Sequence, residues 1–206
     1  MTQEFDLFLF RHGETRWNRE RRFQGQRDSP LTELGIAQGR RLGRRLRLEL
    51  EEPLTYRLVS SPLGRARHTA AILAKAIGRR RDEIIFDDRL MEMTWGDWDG
   101  LTAAEIEARD PGLWQARIDD RWTVPPPGGG ETQQAILDRA AAWLADLGGF
   151  AGTRLIAVAH GAIGRAIRCA YVKLPSAAML GLDEPQDAFF RLRAGRIERI
   201  DCKDAG

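Results

Sequence analysis

Two of the three histidines in this chain occupy the same kind of position in the sequence. His12 follows the apolar residues 7–10 and one arginine, and His160 follows the apolar residues 155–159. A glycine comes directly after each histidine, Gly161 in the second case. An apolar run bounded by a turn signal is typical of a buried strand, and open α/β sheets bind ligands at the carboxyl ends of their strands. The two imidazoles are therefore predicted to meet at one edge of a parallel sheet.

Arginines accompany these histidines. Arg11 precedes His12, and Arg65 falls on the first turn of a helix that is predicted to begin just after a strand at residues 58–60. The free N–H groups of a helix N-terminus and the bidentate guanidinium group both favour an anion. Two arginines, two imidazoles and a helix start predict a phosphate or sulfate site. A metal site is the alternative, but flanking arginines would repel a cation and no close metal-ligand spacing occurs, so we predict neither a metal nor another cofactor.

Other phosphate chemistries find no matching motif. Neither a P-loop nor a glycine-rich dinucleotide fingerprint occurs in the chain. A cysteine phosphatase needs an arginine six residues after its nucleophile, whereas Cys169 has Pro175 there and Cys202 lies too near the end. Residues 97–100 resemble an aspartyl-nucleophile motif, but no apolar strand leads into them. Histidine is the nucleophile that remains.

The elements that must position these residues alternate between strands and helices. Apolar runs predict strands at 7–10, 58–60, 84–86 and 155–159, and a terminal hairpin over 189–200. Amphipathic patterns and caps predict helices at 32–50, 61–78, 102–109, 133–147 and 163–172. This order predicts an α/β three-layer sandwich, with a mostly parallel central sheet and helices on both faces, in one domain over 1–206.

Three local expectations follow from turn and cap residues. The polar residues 16–29 are predicted to form a loop over the strand ends. Ser61 is predicted to cap the following helix, with Pro62 at its first helical position. The sequence 110–112 is predicted to stop the helix that opens at Thr102.

Composition limits the partners and the location. The chain has 206 residues, 43% of them hydrophobic, and a net charge of +2, so a strongly basic face for nucleic acid is not indicated. Its two cysteines are too few for a disulfide scaffold. Residues 1–6 lack the features of a signal peptide, and no apolar run approaches the length of a membrane span. We expect a cytoplasmic monomer or homodimer that binds a small phosphorylated substrate, and neither nucleic acid nor a membrane.

Five segments in chain order resemble the signatures of the histidine phosphatase superfamily, whose fold is phosphoglycerate-mutase-like. The first is Arg-His-Gly-Glu-Thr at 11–15, which continues through Trp-Asn at 17–18 and Phe-Gln-Gly at 23–25. The others are Ser-Ser-Pro-Leu-Gly-Arg-Ala at 60–66, Leu-Met-Glu at 90–92, Gly-Glu-Thr at 130–132 and His-Gly at 160–161. Together they span most of the chain.

The resemblance implies a role for each matching residue. His12 would be the nucleophile that becomes phosphohistidine, and Glu92 the general acid that protonates the leaving oxygen and later activates water. Arg11, Arg65 and His160 would hold the phosphoryl oxygens. The remaining matches would line the phosphate and substrate pocket: Thr15, Asn18, Gln24, Gly25 and Gly161. The family needs no metal.

The resemblance also favours one branch of activity. Mutases of this family carry a longer insertion after the general acid, with basic residues that retain a bisphosphorylated intermediate, and an asparagine where this chain has Ala162. We therefore predict a metal-independent phosphomonoesterase. The alternatives are cofactor-dependent phosphoglycerate mutase-type phosphoryl transfer and a non-catalytic member that binds phosphorylated ligands.

The substrate is left open by the sequence. A predicted lid at 113–127 carries aromatic and basic side chains, namely Trp114, Arg117, Arg121 and Trp122. These could cover a sugar, a nucleoside-like group or an aryl ring, or simply pack on the core. Sugar phosphates, phosphoglycerates, phosphoserine and α-ribazole phosphate remain candidates.

Overall fold

A computed structural model describes residues 5–148 and 153–202. One six-stranded sheet has the order β3-β2-β4-β1-β5-β6. Its strands are Asp6–Arg11 (β1), Arg57–Ser60 (β2), Ile85–Phe86 (β3), Arg154–Ala159 (β4), Ala188–Arg193 (β5) and Arg196–Asp201 (β6). The α-helices of the described residues are Arg16–Arg19 (α1), Glu33–Glu49 (α2), Gly64–Ala76 (α3), Ala103–Arg109 (α4), Pro111–Asp119 (α5), Gln133–Gly148 (α6) and Gly161–Tyr171 (α7).

Short 3₁₀ helices complete the described structure. They are Pro53–Thr55, Arg81–Glu83, Asp88–Leu90, Gly96–Trp98 and Ser176–Gly181. Within residues 5–148 and 153–202, no helix has the length and hydropathy that crossing a bilayer requires.

The central strands explain why both histidines reach one edge. β1 and β4 are parallel neighbours, with Leu7 opposite Leu155 and Arg11 opposite Ala159. Both strands are buried on both faces, which accounts for their nearly continuous apolar sequences. Because Arg11 and Ala159 lie side by side, the residues that follow them, His12 and His160, leave the sheet at the same edge. This part of the prediction is confirmed.

Helices cover both faces of the sheet, as predicted. Side chains alternate along β1, so that Leu7 and Leu9 pack against α6 and α7, whereas Phe8 and Phe10 pack against α2 and α3. The first four strands are parallel, and the β5–β6 hairpin is antiparallel. The α/β, mostly parallel, phosphoglycerate-mutase-like fold is therefore confirmed.

Local chemistry overturns three boundary predictions. Residues 16–29 include the helix α1, because Thr15 and Asn18 form a capping box. Helix α3 begins at Gly64 after Leu63, because the Gly64 and Arg65 N–H groups donate to the carboxylate of Asp28 at 2.6 and 3.4 Å, whereas the Ser61 hydroxyl lies before the helix and contacts His160 Nε2 at 2.8 Å. Pro111 starts helix α5 at its first position instead of ending helical structure.

Candidate active site

The loop after β1 fixes the orientation of His12. Its side chain is 2% exposed, and its Nδ1 lies 2.8 Å from the carbonyl oxygen of Gly13. A carbonyl can only accept, so Nδ1 carries the proton and the Nε2 lone pair faces the opposite way. Gly13 packs so closely on α2 that a Cβ there would lie 2.3 Å from the Gly35 carbonyl oxygen. The ring therefore presents an unprotonated Nε2 from a closely packed loop.

Arg65 lies between the two histidines. Its Nε is 3.3 Å from His12 Nε2 and 3.1 Å from His160 Nδ1. The rest of the guanidinium group donates to the carbonyl oxygens of Arg27 and Gly25, each at 2.7 Å, and to Asp28 Oδ1 at 3.2 Å. These contacts hold the guanidinium group in place, so its charge stays beside both imidazoles.

This charge and the burial set the protonation of the histidines. Burial lowers the pKa of His12 well below its ordinary value of 6.5, and the charges of Arg65 and Arg11 lower it further, against the hydrogen bond to Gly13. Burial and Arg65 likewise lower the pKa of His160. Both rings are neutral near neutral pH, which is the form that a nucleophilic imidazole requires.

Glu92 lies at the N-terminus of α7. Its carboxylate accepts from the backbone N–H of Ala162 at 3.1 Å, of Ile163 at 3.3 Å and of Met93 at 2.9 Å. These contacts hold the carboxyl group against the first turn of α7. Glu92 and His12 line the same cavity, of about 370 Å³. A carboxyl group and an imidazole thus face one cavity.

Asn18 also lines this cavity, and its amide is oriented by three donors. Asn18 Oδ1 accepts from the Thr15 N–H at 3.0 Å, the Thr15 hydroxyl at 3.1 Å and Gln186 Nε2 at 3.2 Å. Gln186 Nε2 also donates to the His12 carbonyl oxygen at 3.2 Å. These contacts fix the oxygen of the amide, so its NH₂ group is free to donate to a ligand.

Glu184 joins two further arginines at the cavity. Arg11 Nη1 donates to the Glu184 carbonyl oxygen at 2.5 Å, and Arg165 Nη1 lies 2.7 Å from Glu184 Oε1. A Cβ on Gly161 would come within 2.2 Å of Glu184 Oε2, so this approach requires glycine. Sequence reasoning missed Glu184, Gln186 and Arg165. Only Arg165 had a signal, since it lies one turn into the helix that follows His160-Gly161.

Seven of the ten predicted site residues line the cavity: Arg11, His12, Asn18, Gln24, Gly25, Arg65 and Glu92. Three do not. Thr15 is fully buried as the cap of α1, because its hydroxyl is used by Asn18. His160 lies behind Arg65, with both ring nitrogens engaged, and Gly161 packs against Glu184. Of the predicted lid residues, Trp114, Arg117 and Arg121 line the cavity, whereas Trp122 packs against the core.

No group of three or more histidine, cysteine, aspartate or glutamate side chains in residues 5–148 and 153–202 could hold a metal ion.

The strand order and this histidine–arginine pairing at the sheet edge define a phosphoglycerate-mutase-like protein. The chain belongs to the histidine phosphatase superfamily (branch 1), whose family model matches residues 7–193. It is 36% identical over 200 residues to the probable phosphoglycerate mutase GpmB of Salmonella choleraesuis, covering 97% of this chain and 86% of that protein.

Solved structures show the same likeness. A mycobacterial glucosyl-3-phosphoglycerate phosphatase, solved in complex with VO₃, is 31% identical with a TM-score of 0.76, over 94% of this chain and 96% of that one. A putative alpha-ribazole-5'-P phosphatase from Escherichia coli, at 24% identity and a TM-score of 0.80, covers 96% of this chain and 95% of its own. The latter likeness concerns the fold alone.

Proposed function

We propose that this protein is a metal-independent phosphomonoesterase that forms a phosphohistidine on His12. The observation that carries the proposal is the state of that ring: buried, protonated on Nδ1 by its contact with Gly13, and with Nε2 beside Arg65. An imidazole held in this way is a nucleophile for an electrophile that carries negative charge, such as a phosphoryl group. Membership of the superfamily supports the same assignment.

In the first step, His12 Nε2 attacks phosphorus and forms the N–P bond while the ester P–O bond breaks. Arg11, Arg65 and the Asn18 amide donate to the non-bridging oxygens, on which charge is spread in the transition state. Glu92, entering the step as the acid, gives its proton to the leaving oxygen. The alcohol departs neutral.

In the second step, water attacks the phosphohistidine. The Glu92 carboxylate takes the proton from that water, the N–P bond breaks and inorganic phosphate is released. His12 returns to its neutral form, and Glu92 is again protonated. Four hydrogen bonds to backbone groups hold these two side chains in position.

The experiment is transfer of radiolabelled phosphate from substrate to protein, followed by release of inorganic phosphate, in excess EDTA. Wild-type protein should acquire an acid-labile label and His12→Ala should not. The exposed His68 provides the matched control, and His68→Ala should label like wild type. A label that persists in His12→Ala, or activity that EDTA removes and Mg²⁺ restores, would refute the proposed mechanism.

A second candidate function is mutase-type phosphoryl transfer, which the name of the Salmonella relative suggests. A mutase must return the phosphoryl group to a bound product instead of to water. Incubation with 3-phosphoglycerate, with and without 2,3-bisphosphoglycerate, separates the two. Net release of inorganic phosphate supports the phosphatase, and bisphosphate-dependent formation of 2-phosphoglycerate supports the mutase.

A further inference from the structure

Arg117 is a buried cation in the cavity wall. Its side chain belongs to α5, and the residue is only 3% exposed. Its Nη1 donates to the Val124 carbonyl oxygen at 2.6 Å, its Nη2 lies 3.8 Å from Met93 Sδ, and its Cζ lies 4.8 Å from the centre of the Trp95 ring. All three neighbours are uncharged. Packing and one carbonyl therefore hold the guanidinium group in place without neutralising it.

Four of the five other cavity arginines have carboxylate partners, and Arg121 is the exception among the described residues. Arg11 and Arg165 pair with Glu184, Arg65 pairs with Asp28, and Arg22 pairs with Glu20 and Glu105. Within the two described stretches of chain, no carboxylate pairs with Arg117. Burial and the neighbouring charge of Arg121 lower the pKa of Arg117 to about 10, which still leaves it protonated near neutral pH.

An unpaired acceptor lies beside this cation. Gln133 is 5% exposed and lines the cavity, and its Oε1 has no hydrogen-bond donor among the described residues. Its Nε2 lies 3.5 Å from Met93 Sδ, the same sulfur that Arg117 contacts. A buried charge and a buried carbonyl oxygen are both costly when they lack partners. A ligand with an anionic group and a nearby hydroxyl would satisfy both.

The position of Met93 shows which part of a substrate would meet them. Met93 directly follows Glu92 and donates its backbone N–H to the Glu92 carboxylate. Since Glu92 is the proposed acid for the leaving oxygen, Arg117 and Gln133 lie on the leaving-group side of the cavity. His12, Arg11 and Arg65 would contact the phosphoryl group.

We infer that the alcohol part of the substrate carries a second anionic group, a carboxylate or a further phosphate, which binds Arg117. This inference rests on the proposed phosphomonoesterase function and names its substrate class. The preferred substrates are phosphate esters of hydroxy acids or of phosphorylated alcohols. Neutral alcohol phosphates lack the group that completes the site.

The first test compares wild-type kcat/KM for matched pairs. 3-Phosphoglycerate and glycerol 3-phosphate share the phosphoryl group and the adjoining hydroxyl, and differ in a carboxylate. Fructose 1,6-bisphosphate and fructose 6-phosphate differ in a second phosphate. A hydrogen bond to a charged group should give the anionic member of a pair an advantage of about 10- to 100-fold. The pair that shows the advantage identifies the anion, and equal values within both pairs would overturn the inference.

The second test changes the cation. Arg117→Met should reduce the wild-type ratio of kcat/KM values to near one, mainly through KM, whereas Arg117→Lys should retain part of it. The matched control is Arg44→Met on the exposed face of α2, which should retain the whole ratio. If Arg117→Met slows both members of a pair equally, Arg117 is a structural residue and the inference is wrong.

Two readouts keep these results separate from folding and from the mechanism. If Arg117→Met does not fold, the inference is still tested by the substrate preference of the wild-type protein and by the ratio of kcat/KM values in Arg117→Lys. Phosphohistidine labelling of the wild-type protein tests the mechanism independently. A labelled enzyme without substrate preference would overturn only the substrate class, and an unlabelled enzyme would overturn the proposed function.

Discussion

At the scale of single residues, burial and the charge of Arg65 control the protonation of His12, the proposed nucleophile. Because burial and two arginines lower its pKa, His12 should remain neutral as the pH falls through 6.5. We expect nitrogen NMR of the histidine rings to show the His12 ring unprotonated and its Nδ1–H retained at mildly acid pH. Asn substitutions at His12 and His160 assign the signals. A His12 ring that takes up its proton at or above 6.5 would contradict this electrostatic account.

A second residue-scale prediction concerns the leaving group. General acid catalysis typically contributes roughly 10²- to 10⁴-fold. Glu92→Gln should slow phosphohistidine formation by about that factor for an alkyl phosphate, and far less for p-nitrophenyl phosphate, whose phenolate leaves without a proton. With the activated substrate, the variant should show a burst and then slow turnover, since water lacks its base.

Rapid-quench kinetics with both substrates measures this difference. Glu107→Gln, on the exposed surface of α4, is the control and should behave like wild type. Equal slowing of the first step for both substrates, without a burst, would remove Glu92 from the acid–base role and direct attention to Asp97 and Asp99.

Residue types and spacing could predict which side chains gather, but not how each one points. Arg11, His12 and Arg65 follow from two strand ends and a helix start. The orientation of His160 depends on Ser61, 99 positions away, and that of Asn18 depends on Gln186, 168 positions away. No local pattern carries such contacts, so the sequence predicts Thr15 and His160 in the pocket wall, whereas neither residue lines the cavity in the structure.

At the scale of elements, the loop after β1 and the start of α2 approach without room for side chains. A Cβ on Gly35 would lie 2.1 Å from the Glu14 carbonyl oxygen. Gly35→Ala should therefore lower the free energy of unfolding by about 1–3 kcal/mol or more, and reduce activity by moving His12. Urea denaturation and steady-state kinetics measure the two effects.

The matched control is Gly112→Ala near the start of α5. A Cβ there meets nothing within 4 Å, and alanine has the higher helix propensity. This variant should be as stable as wild type or slightly more so. If both substitutions had the same small effect, the close approach of the loop to α2 would not hold in solution.

Element boundaries were predictable where a cap was free to act. Thr32 caps α2 and Thr102 caps α4 as their sequences indicate. The start of α3 was not predictable, because its first N–H groups donate to Asp28, which lies 36 positions from Gly64 in the sequence, and Ser61 contacts His160. A capping signal in the sequence shows which local hydrogen bond a side chain can make. It does not show whether a tertiary contact occupies that side chain in the folded protein.

At the scale of the whole molecule, two buried neutral histidines make stability depend on pH. Their pKa values lie below the unfolded value of 6.5, so the unfolded chain binds protons that the folded one excludes. The two histidines make their full contribution to the free energy of unfolding above pH 6.5. That contribution is lost as the pH falls toward their pKa values in the folded protein. The free energy of unfolding should decline by up to about 1.4 kcal/mol per pH unit for each histidine.

Urea denaturation from about pH 5 to about pH 8 covers the range in which histidine titrates and measures this slope. His12→Gln should remove its share and flatten the curve. A wild-type curve that is level across this range would show that both rings are protonated as readily in the folded protein as in the unfolded chain.

The fold class could be predicted because a chain of alternating strands and helices can form few folds. The neighbours of each strand in the sheet could not be predicted. Nothing in residues 6–11 indicates that they pair with 154–159 on one side and 188–193 on the other. That pairing depends on which connections the intervening helices allow. The single domain over 1–206, the oligomeric state and the location remain predictions.

The central position of β1 has a consequence for synthesis in the cell. Of the six strands in the described residues, β1 is synthesised before the others, but both of its partners lie beyond residue 153. At about 5–20 residues per second, its four consecutive apolar side chains wait roughly 10–40 s for β4 and β5. The nascent chain cannot close this sheet during that interval, so the unpaired apolar strand is exposed to aggregation and to capture by chaperones until β4 and β5 have been made.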